Sequence, residues 1–235
     1  MNKGLSGSWL KLIACMSMLV DHTAGQIFRW MDWPYSVFFQ IGHFEITPYY
    51  IMRGVIGRWA FPLFAFLIVE GFLHTHDRKR YGMNLFVFAL ISEIPCNLIH
   101  ANKLFWSGQN VFFTLLLGYL GLCAIERYRD DIKQLAKYLV PLFLLSLVLR
   151  ADYGCVGFCF ILLIYLLREN KLLMTIIGTG AMSSTIFSGL AFIPFWFYNG
   201  ERGFVRGKVW KYAFYWFYPV HLLVIYYIKL RIYGP

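Results

Sequence analysis

Apolar runs of about twenty residues recur along this chain with short charged loops between them. That spacing constrains the fold more than any other feature of the sequence. A helix needs about 20 mostly apolar residues to cross the hydrocarbon of a bilayer. In lipid the backbone must satisfy its own hydrogen bonds, which a helix does within one segment. Such runs cover residues about 9–28, 55–76, 82–100, 109–126, 135–150, 153–168 and 210–231. The region 171–198 is long for one helix and short for two, and Gly178, Gly180, Ser183, Ser184, Gly189 and Pro194 are placed to break it. Residues 34–52 are aromatic-rich but interrupted by Pro34, Gly42, Glu45 and Pro48, and read as an interfacial or re-entrant piece. The expected fold is an all-α polytopic transmembrane bundle of about eight spans, nine if 171–198 crosses twice, forming a single domain over residues 1–235.

Only 14% of residues are charged, against about 25% in soluble domains. Aromatic residues make up 20%, which suits a chain with many turns at headgroup level, where Trp and Tyr collect. The net charge of +10 lies in the short loops and no nucleic-acid motif accompanies it, so its expected partners are anionic headgroups rather than nucleic acid.

Loop charge also sets the expected orientation. With the N-terminus inside, residues 77–80 (DRKR), Arg127, Arg129, Lys133 and Lys137, and Arg168 with Lys171 fall on the cytoplasmic side, while the alternate loops hold only Arg29, Lys103 and Arg150. The basic loop at 201–211 lies outside with eight spans and inside with nine; the charge rule favours nine and span length favours eight. The N-terminus has a basic start but no A-x-A type cleavage site and reads as a retained first span of a multi-pass cell-membrane protein. Cys15, Cys96, Cys123, Cys155 and Cys159 sit inside apolar runs without a CxxC pair and read as small apolar fillers.

The apolar runs nevertheless carry ionisable groups: Asp21, His22, Arg58, Glu70, Glu93 and His221. Each charge at mid-bilayer costs about 2.5–3.5 kcal/mol on insertion scales, so such groups face one another or a wet cavity. If Lys11 marks the inner boundary, Asp21 and His22 lie roughly 15 Å deep at 1.5 Å per residue. Each has a plain structural role open to it. Asp21 or Glu93 can neutralise Arg53 or Arg58, His221 can pack against a Tyr hydroxyl, and Asn97 can cap a helix broken at Pro95.

Asp21 and His22 are adjacent and point about 100° apart on a helix, so they do not chelate one ion, and His74, His76 and Asp77 lack a Cys partner; no metal is expected. No G-x-S-x-G elbow and no phosphate-cradling glycine loop is present. What remains is a histidine base with a carboxylate to orient it, and because Asp21 diverges from His22, Glu70 or Glu93 is the expected orienter. Arg53 and Arg58 are placed to hold a phosphate or stabilise an oxyanion, and Gly54 and Gly57 beside them permit a close approach.

The segments LKLIACMSMLVDHTA (10–24), IGRWAFPLFAFLIVEGFLHT (56–75), FALISEIPCNL (88–98), QNVFFTLLLGYL (109–120), FYNGERG (197–203) and FYWFYPVHLLVI (214–225) together resemble the TraX family of integral membrane proteins. The family takes its name from a pilin acetyltransferase and is similar to multi-span acyltransferases. The resemblance implies transfer of acetyl from acetyl-CoA to an amine or hydroxyl acceptor, such as a pilin N-terminus or an envelope component, with the bilayer and that acceptor as partners. It makes His22 the candidate base and Asp21, Glu70 and Glu93 the other candidate catalytic groups. Arg53, Arg58, Asn110, Asn199 and Arg202 are the candidates for holding acetyl-CoA, and Ser92, Gln109, Tyr218 and His221 for the acceptor. Two other classes fit the same residues: a transporter or flippase relaying protons or anions through the His, Glu and Arg groups, and a non-catalytic membrane partner of an envelope assembly.

Overall fold

The computed structural model describes residues 4–42, 44–182 and 186–234. Ser183 and Ser184, two of the expected breakers, lie outside them. The chain divides into two compact units, Met1–Phe64 with Met182–Pro235, and Ala65–Ala181.

In the first unit, helix α1 spans Gly7–Gln26. An aromatic stretch follows and ends in an antiparallel hairpin of β1 (Phe39–Ile41) and β2 (Phe44–Ile46), with Phe39 opposite Ile46. Pro48, expected as a breaker, instead opens helix α2, Pro48–His74. A proline's missing N–H costs nothing in the first turn, and the Thr47 hydroxyl caps that turn by accepting from the Tyr50 amide at 3.1 Å. The hydrogen-bond ladder of α2 is not uniform. It widens to a π-helical turn over Ile51–Ile56 and tightens to 3₁₀ over Gly57–Trp59 before running as α-helix from Ala60.

The last helix, α8, covers Gly207–Tyr233. It lies parallel to α1. At the start the Ser8 hydroxyl accepts from the Val205 amide at 2.7 Å; in the middle His22 meets His221; at the end the Tyr233 hydroxyl donates to the Ile27 carbonyl at 2.7 Å.

The second unit holds α3 (Arg78–Ala101), α4 (Val111–Tyr128), α5 (Ile132–Val148), α6 (Gly154–Leu167) and α7 (Lys171–Ala181). Helix α4 is central and packs on α3, α5 and α6. Gly118 lies directly against Ile161, and a Cβ at Gly121 would stand 2.8 Å from Leu162, so small residues let α4 and α6 close up as membrane helices do. Short polar residues start the helices: Asp77 accepts from the Arg80 amide, Asn110 from Phe112, Asp131 from Lys133 and Gln134, and Asn170 from Leu173. The region 171–198 is interrupted as expected: α7 stops at Ala181, and 3₁₀ turns over Ile186–Phe192 lead into a short helical turn, Ile193–Trp196.

Among the described residues, three helices are long and apolar enough to cross a membrane: Pro48–His74, Arg78–Ala101 and Val111–Tyr128. Gly154–Leu167 and Lys171–Ala181 are apolar but shorter. The outer surface is apolar too. On α5, Val140 and Leu144 are each 53% exposed and Val148 76%. In water such a surface would forfeit about 25 cal/mol per Å² of apolar area; against lipid it forfeits nothing.

Candidate functional site

The polar groups of the first unit gather along α1, where consecutive residues turn to different neighbours. Asp21 faces α2, and its Oδ1 accepts from Arg53 Nε at 3.2 Å. Arg53 belongs to the π-helical turn, a distortion found repeatedly at functional positions. Two glycines make room for the pair. Gly57 lies directly against Asp21, and a Cβ on Gly25 would meet Arg53 Nη1 at 2.5 Å. One turn earlier, the Ser17 hydroxyl donates to the Ile56 carbonyl at 2.6 Å, satisfying backbone at the junction of the π and 3₁₀ turns. Arg58 lies within electrostatic reach of Asp21 and keeps a buried Nε without a hydrogen-bond partner among the described residues.

His22 faces α8. Its Nδ1 lies 2.8 Å from Nε2 of His221, whose own Nδ1 lies 2.8 Å from the Phe217 carbonyl one turn earlier. The two imidazole planes differ by 1° with centroids 5.0 Å apart. With the nitrogens in contact at 2.8 Å, these values place the rings edge to edge in one plane. Phe217 stacks on the His221 ring at 4.7 Å, and Tyr218 meets both histidines edge-on. His221 is 5% exposed and His22 half-buried. Pro219, which brings no amide hydrogen to the ladder of α8, lies between Phe217 and His221 in sequence.

The histidine partner is where the structure departs from the sequence reading. A carboxylate from another helix was the expected orienter of His22, whereas the group hydrogen-bonded to its Nδ1 is His221. The two expected carboxylates have companions in the second unit. Glu70 Oε2 lies 3.7 Å from His74. Glu93 Oε2 accepts from the Asn110 amide at 3.3 Å, and that amide also donates to the Ala89 carbonyl at 2.8 Å. Beside them Ser92 Oγ, Glu93 Oε1 and Asn97 Oδ1 are buried without a hydrogen-bond partner among the described residues. Gln109 is used through its backbone, which pairs with Arg150 and Asp152 on either side of Ala151.

Asn199 and Arg202 stand in a strap that clasps the start of α1. Leu5 N–H donates to the Phe197 carbonyl, Asn199 N–H to Leu5, Gly7 N–H to Glu201 and Ser8 N–H to Arg202, all within 2.7–3.0 Å. The Gly7 and Ser8 bonds satisfy two amides that a helix N-terminus leaves without intrahelical partners. Asn199 Oδ1 accepts from the Glu201 amide at 2.9 Å, and the Arg202 side chain is exposed. Gly203, at φ 81°, packs against the Ser6 and Ser8 side chains, where any Cβ would collide. Asn199 and Arg202 were expected to hold acetyl-CoA, and the clasp they stand in was not among the expectations from sequence. The alternation of Gly200 and Gly203, both at positive φ, is the available signal for a shaped turn.

Among the described residues no group of three or more His, Cys, Asp or Glu side chains gathers as a metal site would require.

Comparison with known proteins finds a family and a curated relative. The family described as TraX protein matches residues 6–229. The "Probable fimbrial assembly protein FimC, serogroup H1" of Dichelobacter nodosus is 29% identical, over 95% of this chain and 96% of that relative. No solved structure matches.

Proposed function

The chain belongs to the TraX family, and we propose that it is an integral-membrane acetyltransferase. It moves an acetyl group from acetyl-CoA to an amine or hydroxyl of an envelope acceptor, such as a pilin N-terminus. The observation that carries this reading is the His22–His221 pair, a histidine held by a second ring inside an apolar helical protein. The acceptor class draws on the relative described as a probable fimbrial assembly protein.

In the proposed reaction the acceptor nitrogen or oxygen attacks the thioester carbonyl carbon while His22 takes its proton. The tetrahedral intermediate then expels CoA as the C–S bond breaks, and the thiolate leaves with the proton from His22. Asn110 is a poor oxyanion donor, because both hydrogen bonds of its amide nitrogen are committed to Ala89 and Glu93. Arg58, with a buried Nε unused and Asp21 nearby, takes that role.

The proposed setting is the cytoplasmic membrane, with a multi-pass chain whose N-terminus is inside, a reading that loop charge supports. Parallel first and last helices call for an odd number of crossings. That makes nine if 171–181 and 186–196 each cross, and seven if they fold back as a pair. Either count sets the basic loop 201–211 on the cytoplasmic face, in accord with the charge rule and against a total of eight.

The reading is tested by incubating membranes holding the protein with acetyl-labelled acetyl-CoA and following the label. Label arriving on an envelope amine or hydroxyl is the expected result. Proton flux in liposomes lacking CoA, with no label transferred, would replace it with the transporter reading.

A further inference from the structure

We propose that His221 is a positioning residue that selects the reactive tautomer of His22, and that the two rings share a single proton when His22 acts as a base. The catalytic use of this arrangement rests on the acetyltransferase reading; the hydrogen-bond order itself does not.

The order follows from one fixed point. A carbonyl oxygen only accepts, so the 2.8 Å contact between the Phe217 carbonyl and His221 Nδ1 puts a hydrogen on that nitrogen. A neutral imidazole carries one N–H, which leaves the lone pair of His221 on Nε2. That lone pair faces His22 Nδ1 at 2.8 Å, so His22 Nδ1 carries the hydrogen and donates it. The basic lone pair of His22 is therefore on Nε2. Coplanar rings are what such a bond requires, since both the N–H and the lone pair lie in the ring plane, and the 1° interplanar angle meets that requirement. The stacked Phe217 ring and the edge of Tyr218 hold the His221 plane.

In serine hydrolases a buried carboxylate fixes the histidine tautomer. Here a neutral ring ending on a backbone carbonyl performs that task, which suits an apolar interior because no net charge is buried in the resting state.

The same order gives a proton somewhere to go. When Nε2 of His22 takes the acceptor's proton, the Nδ1 hydrogen of His22 can pass along the existing bond to Nε2 of His221. His22 is then neutral with its hydrogen on Nε2. His221 is the imidazolium, donating from Nδ1 to the Phe217 carbonyl. The pair has gained one proton and lost none, and the reverse shift returns it for departure with the CoA thiolate. A second proton is disfavoured, because two imidazoliums would point N–H at N–H across 2.8 Å.

The test is ¹⁵N NMR of histidine-labelled protein in lipid bilayers at neutral pH, with the His22 signals identified by their loss in His22→Gln. In the wild type His22 is expected to carry its hydrogen on Nδ1, hydrogen-bonded across to a bare His221 nitrogen. His221→Gln, whose amide oxygen can still accept, keeps that tautomer and keeps kcat within about tenfold. His221→Leu, which cannot accept, leaves a tautomer mixture and lowers kcat by roughly a hundredfold, with KM changed by less than about threefold. A wild-type His22 with its hydrogen on Nε2 would overturn the proposal, as would a His221→Leu protein whose His22 tautomer is unchanged. The wild-type spectrum decides the matter even where a variant fails to fold. If the spectrum is as expected but no acetyl group is ever transferred, the pairing stands and the acetyltransferase reading falls.

Discussion

Asp21 and His22 are bonded neighbours on α1, yet Asp21 reaches Arg53 of α2 while His22 reaches His221 of α8. One helix thus fastens two others with adjacent residues, an ion pair on one flank and a ring pair on the next.

The ion-pair flank has a structural consequence. Removing one partner leaves the other charge half-buried in an apolar protein, a change that costs about 3–5 kcal/mol for fully buried pairs and less at this exposure. Asp21→Asn and Arg53→Gln are each expected to lower the midpoint of thermal unfolding in detergent. The double variant should recover part of the loss. Additive losses in the double variant would show that the two side chains are not coupled.

The glycines of that flank are unequal. A Cβ at Gly57 meets the Asp21 carboxylate and also its Cβ at 2.8 Å, atoms tied closely to the α1 backbone. At Gly25 the obstacle is the far end of the flexible Arg53 side chain. Gly57→Ala is therefore expected to destabilise by about 1–3 kcal/mol and Gly25→Ala by clearly less. Thermal melts of the two variants side by side provide the comparison, and equal losses would count against the close approach at Gly57.

The clasp over the start of α1 is open to hydrogen exchange. Ser8 Oγ donates to the Arg202 carbonyl at 2.6 Å and accepts from the Val205 amide at 2.7 Å. Ser8→Ala strips both bonds at a cost of about 1–3 kcal/mol, so the Val205 amide should exchange faster while amides of α4 keep their protection. Gly203→Ala, which combines φ 81° with a collision against Ser6, should open the strap further.

Topology yields a prediction independent of chemistry. In the proposed multi-pass arrangement, parallel α1 and α8 put the two chain ends on opposite faces of the membrane. Reporter fusions should place the N-terminus in the cytoplasm and the C-terminus outside. Both ends in the cytoplasm would require an even number of spans and contradict the parallel pairing of Ser8 with Val205 and Ile27 with Tyr233.

Much of the helical layout was legible because lipid imposes a length rule on apolar runs. Pro48 misled for a local reason: the same residue breaks a helix from within and starts one from its first turn. At the candidate site, the 100° step between adjacent helical residues was enough to separate Asp21 from His22, while the choice between Arg53 and Arg58 as partner for the carboxylate came only with the structure. The His221 pairing was not legible. It joins residues 199 apart, and the parallel register of α1 and α8 that brings them level is set by side chains along the full length of both helices. Expecting a carboxylate to orient a histidine is sound in water-rich sites; in an apolar bundle a neutral acceptor avoids burying a charge.

The most direct test of the account is acetyl transfer by purified wild-type protein and by His22→Gln, reconstituted in the same lipids with labelled acetyl-CoA and envelope acceptor. The account predicts transfer by the wild type and a loss of about a hundredfold or more in the variant, with acetyl-CoA binding retained. Undiminished transfer by His22→Gln would contradict it.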